Sequence, residues 1–213
     1  GIELIKIPIN NIHSSFEKSL EKLFNKSEPG LAEENIQSRI RGNIMMALAN
    51  KFNFLLLATG NKSEMSVGYA TLYGDMCGGF SVLKDVYKMT VFKLCRWRNE
   101  NFPLGSSGPN GPVMPERIIT KPPSAELKPD QKDEDTLPPY EELDEILECL
   151  IEKDFGLKKT ADQGFDASLV RRIWQMLLIA EYKRRQAPPG VKITHRSFGR
   201  DRRYPITDGF RES

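Results

Sequence analysis

Apolar residues recur at helical spacing in five stretches of the chain. The 3.6-residue period predicts helices over Ser14–Phe24, Ala32–Asn50, Val82–Trp97, Tyr140–Lys153 and Ser168–Arg185. Ser14 and Glu17 have the spacing of a capping box at the first of these helices. Asp166 stands where the N-cap of the last helix is expected. We therefore expect helices over much of the chain.

Two short apolar runs, Leu4–Ile9 and Phe54–Ala58, predict strands. The second consists of five apolar residues bounded by turn residues, which is typical of a strand covered on both faces in a parallel sheet. Ligands in open α/β sheets bind beyond the carboxyl ends of such strands. Thr59, Gly60 and Glu64 therefore stand where a ligand would be met, although Thr-Gly-Asn after a strand is as often an ordinary turn.

The segments between these elements differ in character. A Gly/Tyr/Thr loop is expected over residues 68–79. Residues 99–139 contain nine prolines and three glycines, which forbid regular structure over most of this length. So long an irregular stretch is predicted to be either a mobile linker or a lid over a site.

Composition and charge restrict the class of protein. The chain has 213 residues, of which 39% are hydrophobic and 28% charged, as in a soluble globular protein with one sizeable core. The net charge of +2 excludes a basic surface over the whole chain. Acidic residues are concentrated in 126–148 and basic ones in 181–203, which predicts solvated faces or mutual partners. The basic C-terminal tail, 186–213, has no recognisable nucleic-acid fold, and no nucleic-acid partner is expected.

The cysteines and the termini suggest where the protein works. Cys77, Cys95 and Cys149 are an odd number without CxxC spacing, which favours unbridged thiols in a reducing compartment. No apolar run is long enough for a membrane span, and the start lacks a signal-peptide pattern. We expect a cytoplasmic protein without a membrane partner. The absence of an initiator Met suggests that the sequence begins part-way through a longer chain.

Several kinds of chemistry are disfavoured. His13 and His195 are the only histidines, and neither has a Cys, Asp or Glu at metal-ligand spacing, so a zinc site or a Ser/His hydrolase is not expected. Neither GxGxxG after a strand nor GxxxxGK[ST] occurs.

Two features of the helices suggest ligand contacts but also have an ordinary structural explanation, and a third has a structural explanation that suffices. Asn35 and Arg39 lie one helical turn apart and either reach one ligand or form a solvated flank with local ion pairs. Lys88 lies early in a helix and either supports anion binding at that end or is a surface residue. Lys183 belongs to a basic last turn that complements the helix dipole.

Four stretches, taken together, resemble the synthetase domain of glutamine-dependent NAD synthetase. They are ENIQSRIRGNIMMALAN, LLLATGNKSEMSVGYATLYGDMCGGFSVLKDVYKMTVFKLCRWRN, TKPPSAELKPDQKDEDTLPPYEELDEIL, and AEYKRRQAPPGVKIT running into FGRDRRYPIT. The resemblance covers nearly the whole chain. It implies that residues 1–213 are part of a single domain with an α/β fold of the adenine nucleotide alpha-hydrolase type (Rossmann-like). In that fold a mostly parallel sheet is flanked by helices, and here its first strands would be missing.

The resemblance also implies a reaction. In this family ATP adenylates the nicotinate carboxylate of deamido-NAD, and ammonia, from glutamine or free, then displaces AMP to give NAD. Magnesium shields the pyrophosphate, and ATP is a co-substrate. A homodimer or larger homo-oligomer is implied, whose substrate pocket borrows from a partner subunit.

For ATP and the metal, the resemblance implies four residues. Thr59 matches an ATP-contacting threonine at the strand end, and Lys88 a lysine that neutralises ATP phosphates. Ser124 stands where related enzymes often have an ATP-contacting threonine. Glu64 matches an acid that holds magnesium.

For deamido-NAD, the implied contacts are Asn35, Arg39, Glu64 and Lys183. Lys183 matches a lysine that reaches the substrate or the forming adenylate, and Lys88 and Lys183 are the implied catalytic residues. Leu72 replaces the substrate-binding lysine of the ammonia-only branch, so that role is not transferred.

Two parts of the family pattern do not occur in these 213 residues. One is the pyrophosphate loop, Ser-Gly-Gly-x-Asp-Ser, whose aspartate would be the second magnesium ligand. The other is the amidase domain that releases ammonia from glutamine. We therefore expect the chain to be the later part of a longer enzyme and to be inactive alone.

Two alternatives stay open. A sister ATP pyrophosphatase that thiolates tRNA or forms GMP is disfavoured by the lack of a CxxC pair and by the YATLYGD block. A catalytically incomplete nucleotide-binding or interaction module is favoured by the missing loop. AMP release that depends on deamido-NAD would separate these alternatives.

Overall fold

The computed structural model describes residues 3–25, 27–28, 30–127 and 130–209. The helices are α1 (Asn10–Phe24), α2 (Leu31–Phe52), α3 (Lys62–Val67), α4 (Lys88–Glu100), α5 (Glu116–Thr120), α6 (Tyr140–Leu147), α7 (Leu157–Ala161), α8 (Ala167–Ile179) and α9 (Glu181–Arg184). The strands are β1 (Leu57–Ala58) and β2 (Phe80–Ser81). A 3₁₀ turn covers Asp133–Asp135, and a π-helical turn, Glu148–Glu152, continues α6.

The sheet described by the structure is small. β1 and β2 pair in parallel, with Leu57 opposite Phe80 and Ala58 opposite Ser81. The prediction of a strand over Phe54–Ala58 with both faces covered is wrong in extent. Ala58 is buried, but Phe54 and Leu55 lie before β1 and are 66% and 68% exposed, because the described part of the chain leaves their side chains uncovered.

Gly78 allows the chain to pass close to β1. Its φ is +155°, and a Cβ there would lie 3.0 Å from both the Ala58 nitrogen and the Leu56 oxygen. The next residue, Gly79, donates its N–H to the Leu56 oxygen at 2.9 Å. A side chain at Gly78 would push β2 away from β1.

The N-terminal predictions are partly wrong. Leu4–Ile9 forms no strand, and Leu4 and Ile5 are exposed, because no described strand lies beside this run to pair with it. α1 begins at Asn10 rather than at Ser14, so the predicted capping box is also wrong. The helix starts earlier because the residues before Ser14 make helical backbone hydrogen bonds, such as that from the His13 N–H to the Ile9 oxygen.

α6 and α8 form the centre of the core. Their fully buried side chains are Leu143, Ile146, Leu147, Val170, Ile173 and Leu177. Each such side chain stabilises the fold by roughly 1.5–3 kcal/mol. The predicted helix Tyr140–Lys153 is confirmed in extent, although its last part is π-helical. Asp166 is confirmed as the N-cap of α8, since its carboxylate accepts the Leu169 N–H at 2.8 Å.

The predicted helix Ser168–Arg185 is two helices in the structure. α8 ends at Ile179, and α9 begins after Ala180. The break follows from Arg184, whose guanidinium donates to the Leu177 and Ser66 carbonyl oxygens at 2.5 and 2.8 Å. These bonds occupy a carbonyl at the end of α8 and tie the turn to α3.

α4 begins at Lys88, six residues after the predicted start at Val82. Asp85, which falls within the predicted helix Val82–Trp97, lies in the turn before α4. Its carboxylate accepts the backbone N–H groups of Ile193 and Thr194 at 2.7 Å each. The turn is thus held by the C-terminal segment around Ile193 and Thr194 and does not join the helix.

Within the described residues, no helix combines the length and apolar character needed to cross a bilayer. The three cysteines are free thiols.

Candidate functional site

A cleft of about 790 Å³ opens between α2, α3, the start of α4 and the irregular segment before α6. Six of the residues predicted to bind ligands line it: Asn35, Arg39, Glu64, Lys88, Ser124 and Lys183. Thr59 lines a smaller cavity of about 70 Å³. Glu64 lines both cavities, so the cavity of Thr59 adjoins the cleft that the other six residues line.

A capping box at the start of α3 positions Glu64. The Asn61 side chain accepts the Glu64 N–H at 3.0 Å, and Glu64 Oε2 accepts the Asn61 N–H at 3.1 Å. Glu64 Oε1 is paired with Lys88 Nζ at 2.9 Å. The backbone of Asn61 thus fixes Oε2, whereas Oε1 contacts the Lys88 ammonium, which an anionic ligand could draw away.

Lys88 is the first residue of α4, which agrees with its predicted position early in a helix. Its backbone N–H donates to Ser63 Oγ at 2.8 Å, and the Met89 N–H donates to Asp144 Oδ2 at 2.9 Å. Ser63 in turn donates to Asp144 Oδ1 at 2.5 Å. The first two amides of α4 are therefore satisfied within the protein. Positive charge at this point of the cleft comes from the Lys88 ammonium and not from free amides.

Asp144 makes this support sensitive to pH. Burial raises its pKa to about 6, against the opposing effect of the Met89 and Ser63 hydrogen bonds. An acid with a raised folded-state pKa favours folding below its unfolded pKa and loses that contribution as pH rises through the folded value. We expect the unfolding free energy of the wild type to fall by roughly 2–3 kcal/mol relative to Asp144→Asn between pH 4 and pH 7. Urea unfolding of both proteins across this range measures the difference. A difference that does not change with pH would contradict the expectation.

Lys183 also lines the cleft. Its Nζ donates to the Gly68 and Ala70 carbonyl oxygens at 2.7 Å each. Burial lowers the pKa of the Lys183 ammonium, while the Asp75 carboxylate nearby opposes that shift. The lysine therefore fixes the loop after α3 and also adds positive charge to the cleft.

Asn35 and Arg39 contact this same loop. Asn35 Oδ1 accepts the Thr71 hydroxyl at 2.9 Å, and Arg39 Nε donates to the Leu72 carbonyl oxygen at 3.2 Å. The loop also lies tightly against α2, since a Cβ at Gly74 would come within 2.3 Å of Ser38 Oγ. The stripe of α2 that carries these residues is thus a wall of the cleft.

Ser124 belongs to the irregular segment predicted as a linker or a lid. Its Oγ accepts the Glu126 N–H at 3.0 Å. Gln37 Nε2 donates to the Leu127 carbonyl oxygen at 3.2 Å, which ties this part of the segment to α2. Ser124 and Leu127 both line the cleft.

Lys62, which no motif in the sequence marks, lies two residues before Glu64 and is completely buried. Its Nζ donates to Asp85 at 2.8 Å, Glu152 at 2.6 Å and the Thr194 hydroxyl at 2.5 Å. Nothing in the local spacing distinguishes it from a surface lysine, because its partners are distant in sequence. It anchors α3, and so the support of Glu64, to the C-terminal segment.

A second cavity, of about 460 Å³, lies between α1 and α2. It is lined by His13, Leu20 and Phe24 among others, and none of the predicted site residues borders it. Within the described residues, no group of three or more His, Cys, Asp or Glu side chains is arranged to hold a metal ion.

Known proteins resemble this chain in sequence and in fold. The family model for NAD synthase matches residues 1–187. The glutamine-dependent NAD(+) synthetases of Thermotoga maritima and Rhodobacter capsulatus are 51% and 48% identical to the chain over 212 residues. The match covers the whole chain but only 36% and 38% of those proteins, so the chain spans little more than a third of their length.

The crystal structure of a glutamine-dependent NAD(+) synthetase from Cytophaga hutchinsonii has the same fold. It superposes with a TM-score of 0.70 at 21% identity, over 93% of this chain and 33% of that one. The predicted α/β fold class, of the adenine nucleotide alpha-hydrolase type, is thereby confirmed. The match to the family model and the identity to its known relatives together show that the chain belongs to the NAD synthase family.

Proposed function

We propose that this chain supplies the substrate cleft of a ligase that converts deamido-NAD to NAD. Membership of the NAD synthase family supports NAD synthesis as the outcome. The observation that carries the proposal is the single cleft, in which Glu64 and the ammonium groups of Lys88 and Lys183 are brought together. An anionic ligand needs concentrated positive charge, and two lysines that line the same cleft provide it.

The reaction proposed for this cleft has two steps. A carboxylate oxygen of the nicotinate ring attacks the α-phosphorus of ATP, and pyrophosphate leaves. Ammonia, from glutamine or free, then attacks the acyl carbon, and AMP leaves. Lys88 is proposed to neutralise the ATP phosphates, with Thr59 and Ser124 as further ATP contacts. Stabilisation of charge that develops on the departing group is the largest contribution expected from such a site.

Deamido-NAD is proposed to lie against α2 and the loop after α3. Asn35 and Arg39 already bond this loop, so a ligand there would be bound by the loop and by the helix flank together. Lys183 is bonded to two carbonyl oxygens of the same loop, and its proposed role is to reach the substrate or the adenylate.

Magnesium is the proposed cofactor, and Glu64 is the residue that would hold it. One carboxylate fits this ion, because Mg²⁺ is commonly bound by one or two carboxylates, substrate phosphates and retained waters. When bound, the ion would neutralise charge on the leaving pyrophosphate. Lys88 would then exchange its bond to Glu64 Oε1 for a phosphate oxygen.

The experiment that tests the function is AMP release by the complete native polypeptide with ATP, magnesium and ammonia. We expect AMP and NAD to form only when deamido-NAD is present. Nucleotide binding without AMP release would instead identify an interaction module. The 213-residue chain alone is expected to be inactive, and size-exclusion chromatography of the complete polypeptide is expected to show a dimer or larger homo-oligomer.

A further inference from the structure

Asp133 occupies an unusual position on the wall of the cleft. It begins the 3₁₀ turn Asp133–Asp135, and only 3% of its surface is exposed. Its Oδ2 accepts the Tyr140 hydroxyl at 2.8 Å, and its backbone N–H donates to the Pro123 oxygen at 2.9 Å. Its Oδ1 is buried and has no hydrogen-bond partner among the described residues.

An unsatisfied carboxylate oxygen in this position calls for an explanation. A carboxylate accepts several hydrogen bonds, and one left unsatisfied in a buried site is strongly unfavourable. Cations are close by, yet Lys88 bonds Glu64 and lies over the Tyr140 ring, 5.1 Å from its centroid. Burial, together with the charge of Asp133, raises the pKa of Tyr69 on the same cleft. The Asp133 carboxylate thus acts on a side chain that lines the cleft.

We propose that Asp133 is a nucleotide-binding residue, whose free Oδ1 accepts a hydrogen bond from an O–H or N–H group of the bound substrate. The donor is a ribose hydroxyl or an exocyclic amine, because a carboxylate repels phosphates and accepts donors. This inference rests on the proposed function. ATP and deamido-NAD both carry such groups, so separate titrations must distinguish them.

The test uses Asp133→Asn in the complete native polypeptide. This isosteric change keeps an oxygen for the Tyr140 hydroxyl but places an amide donor where Oδ1 accepts. Calorimetric titration with ATP and, separately, with deamido-NAD is expected to show at least tenfold weaker binding of one nucleotide. Binding of the other nucleotide is expected to stay within threefold of the wild type, and that contrast identifies the source of the donor.

Tyr140→Phe is the matched control, because it removes the hydroxyl that bonds Oδ2 and leaves the carboxylate in place. It is expected to bind both nucleotides within threefold of the wild type. If it weakens binding as much as Asp133→Asn does, Asp133 acts only through Tyr140 and the proposal is overturned. Thermal unfolding of each variant checks that the fold is kept. Should Asp133→Asn not fold, Asp133→Glu displaces the same oxygen with the charge retained and is expected to show the same loss.

Wild-type affinity for both nucleotides in the folded Asp133 variants would overturn the inference, and this result leaves the proposed function untouched if the wild type makes NAD. Conversely, loss of nucleotide binding in Asp133→Asn would support the inference even if the wild type formed no NAD.

Discussion

Replacement of Lys62 by Met is expected to lower the free energy of unfolding by about 3–5 kcal/mol, the range for breaking a buried ion pair. The side chain of Lys62 is fully buried, and that of Asp85 is 3% exposed. Methionine fills a similar volume but leaves the carboxylates of Asp85 and Glu152 without their cation. The Thr194 hydroxyl and the Arg196 carbonyl oxygen also lose a donor. Because the mutation leaves negative charges uncompensated, the loss exceeds that expected from removal of a surface pair.

Chemical denaturation measures this change, and Lys121→Met is the matched control. Lys121 pairs with Glu126, but both side chains are about half exposed or more. Such pairs contribute about 0–1 kcal/mol, so the control should unfold almost as the wild type does. Equal unfolding free energies for Lys62→Met and Lys121→Met would show that the buried network does not stabilise the fold.

Lys88→Met is expected to lower kcat/KM for ATP by about 10²–10³-fold in the complete native polypeptide, the range for removal of one group that stabilises transition-state charge. The physical reason is the position of the ammonium, which lies in the cleft 2.9 Å from Glu64 and is only partly exposed. A phosphate that displaces this contact meets a cation in a poorly solvated place, where charge interactions are stronger than in water.

Lys93→Met provides the comparison on the same helix. Lys93 is exposed and does not line the cleft, so kcat/KM should stay within twofold of the wild type. Lys88→Arg, which retains the charge, should recover part of the lost activity. A loss below tenfold in Lys88→Met would exclude the proposed role of this lysine.

The helices of the core are predictable because their periodicity reflects burial directly. Leu143, Ile146 and Leu147 repeat at helical spacing, and all three are fully buried in α6. Strand predictions rely on neighbours that a local pattern does not contain. The Leu4–Ile9 run is apolar and β-branched, but it forms no strand because no described strand pairs with it.

The site residues were found by the resemblance to a family rather than by spacing. Asn35 and Arg39 fit a solvated flank equally well, and only their bonds to the loop after α3 place them on the cleft wall. No motif or residue spacing in the sequence marks Lys62 or Asp133 as important. The role of each depends on contacts made in the folded chain, with Thr194 in one case and the cleft in the other.

The bond between Lys62 and Thr194 joins residues 132 positions apart. The ribosome makes Lys62 well before it makes Thr194, and until then the nascent chain holds a lysine whose final partners are incomplete. Contacts of such long range form late and slow folding. Nucleotide binding should therefore be acquired only after the segment that contains Thr194 has been made.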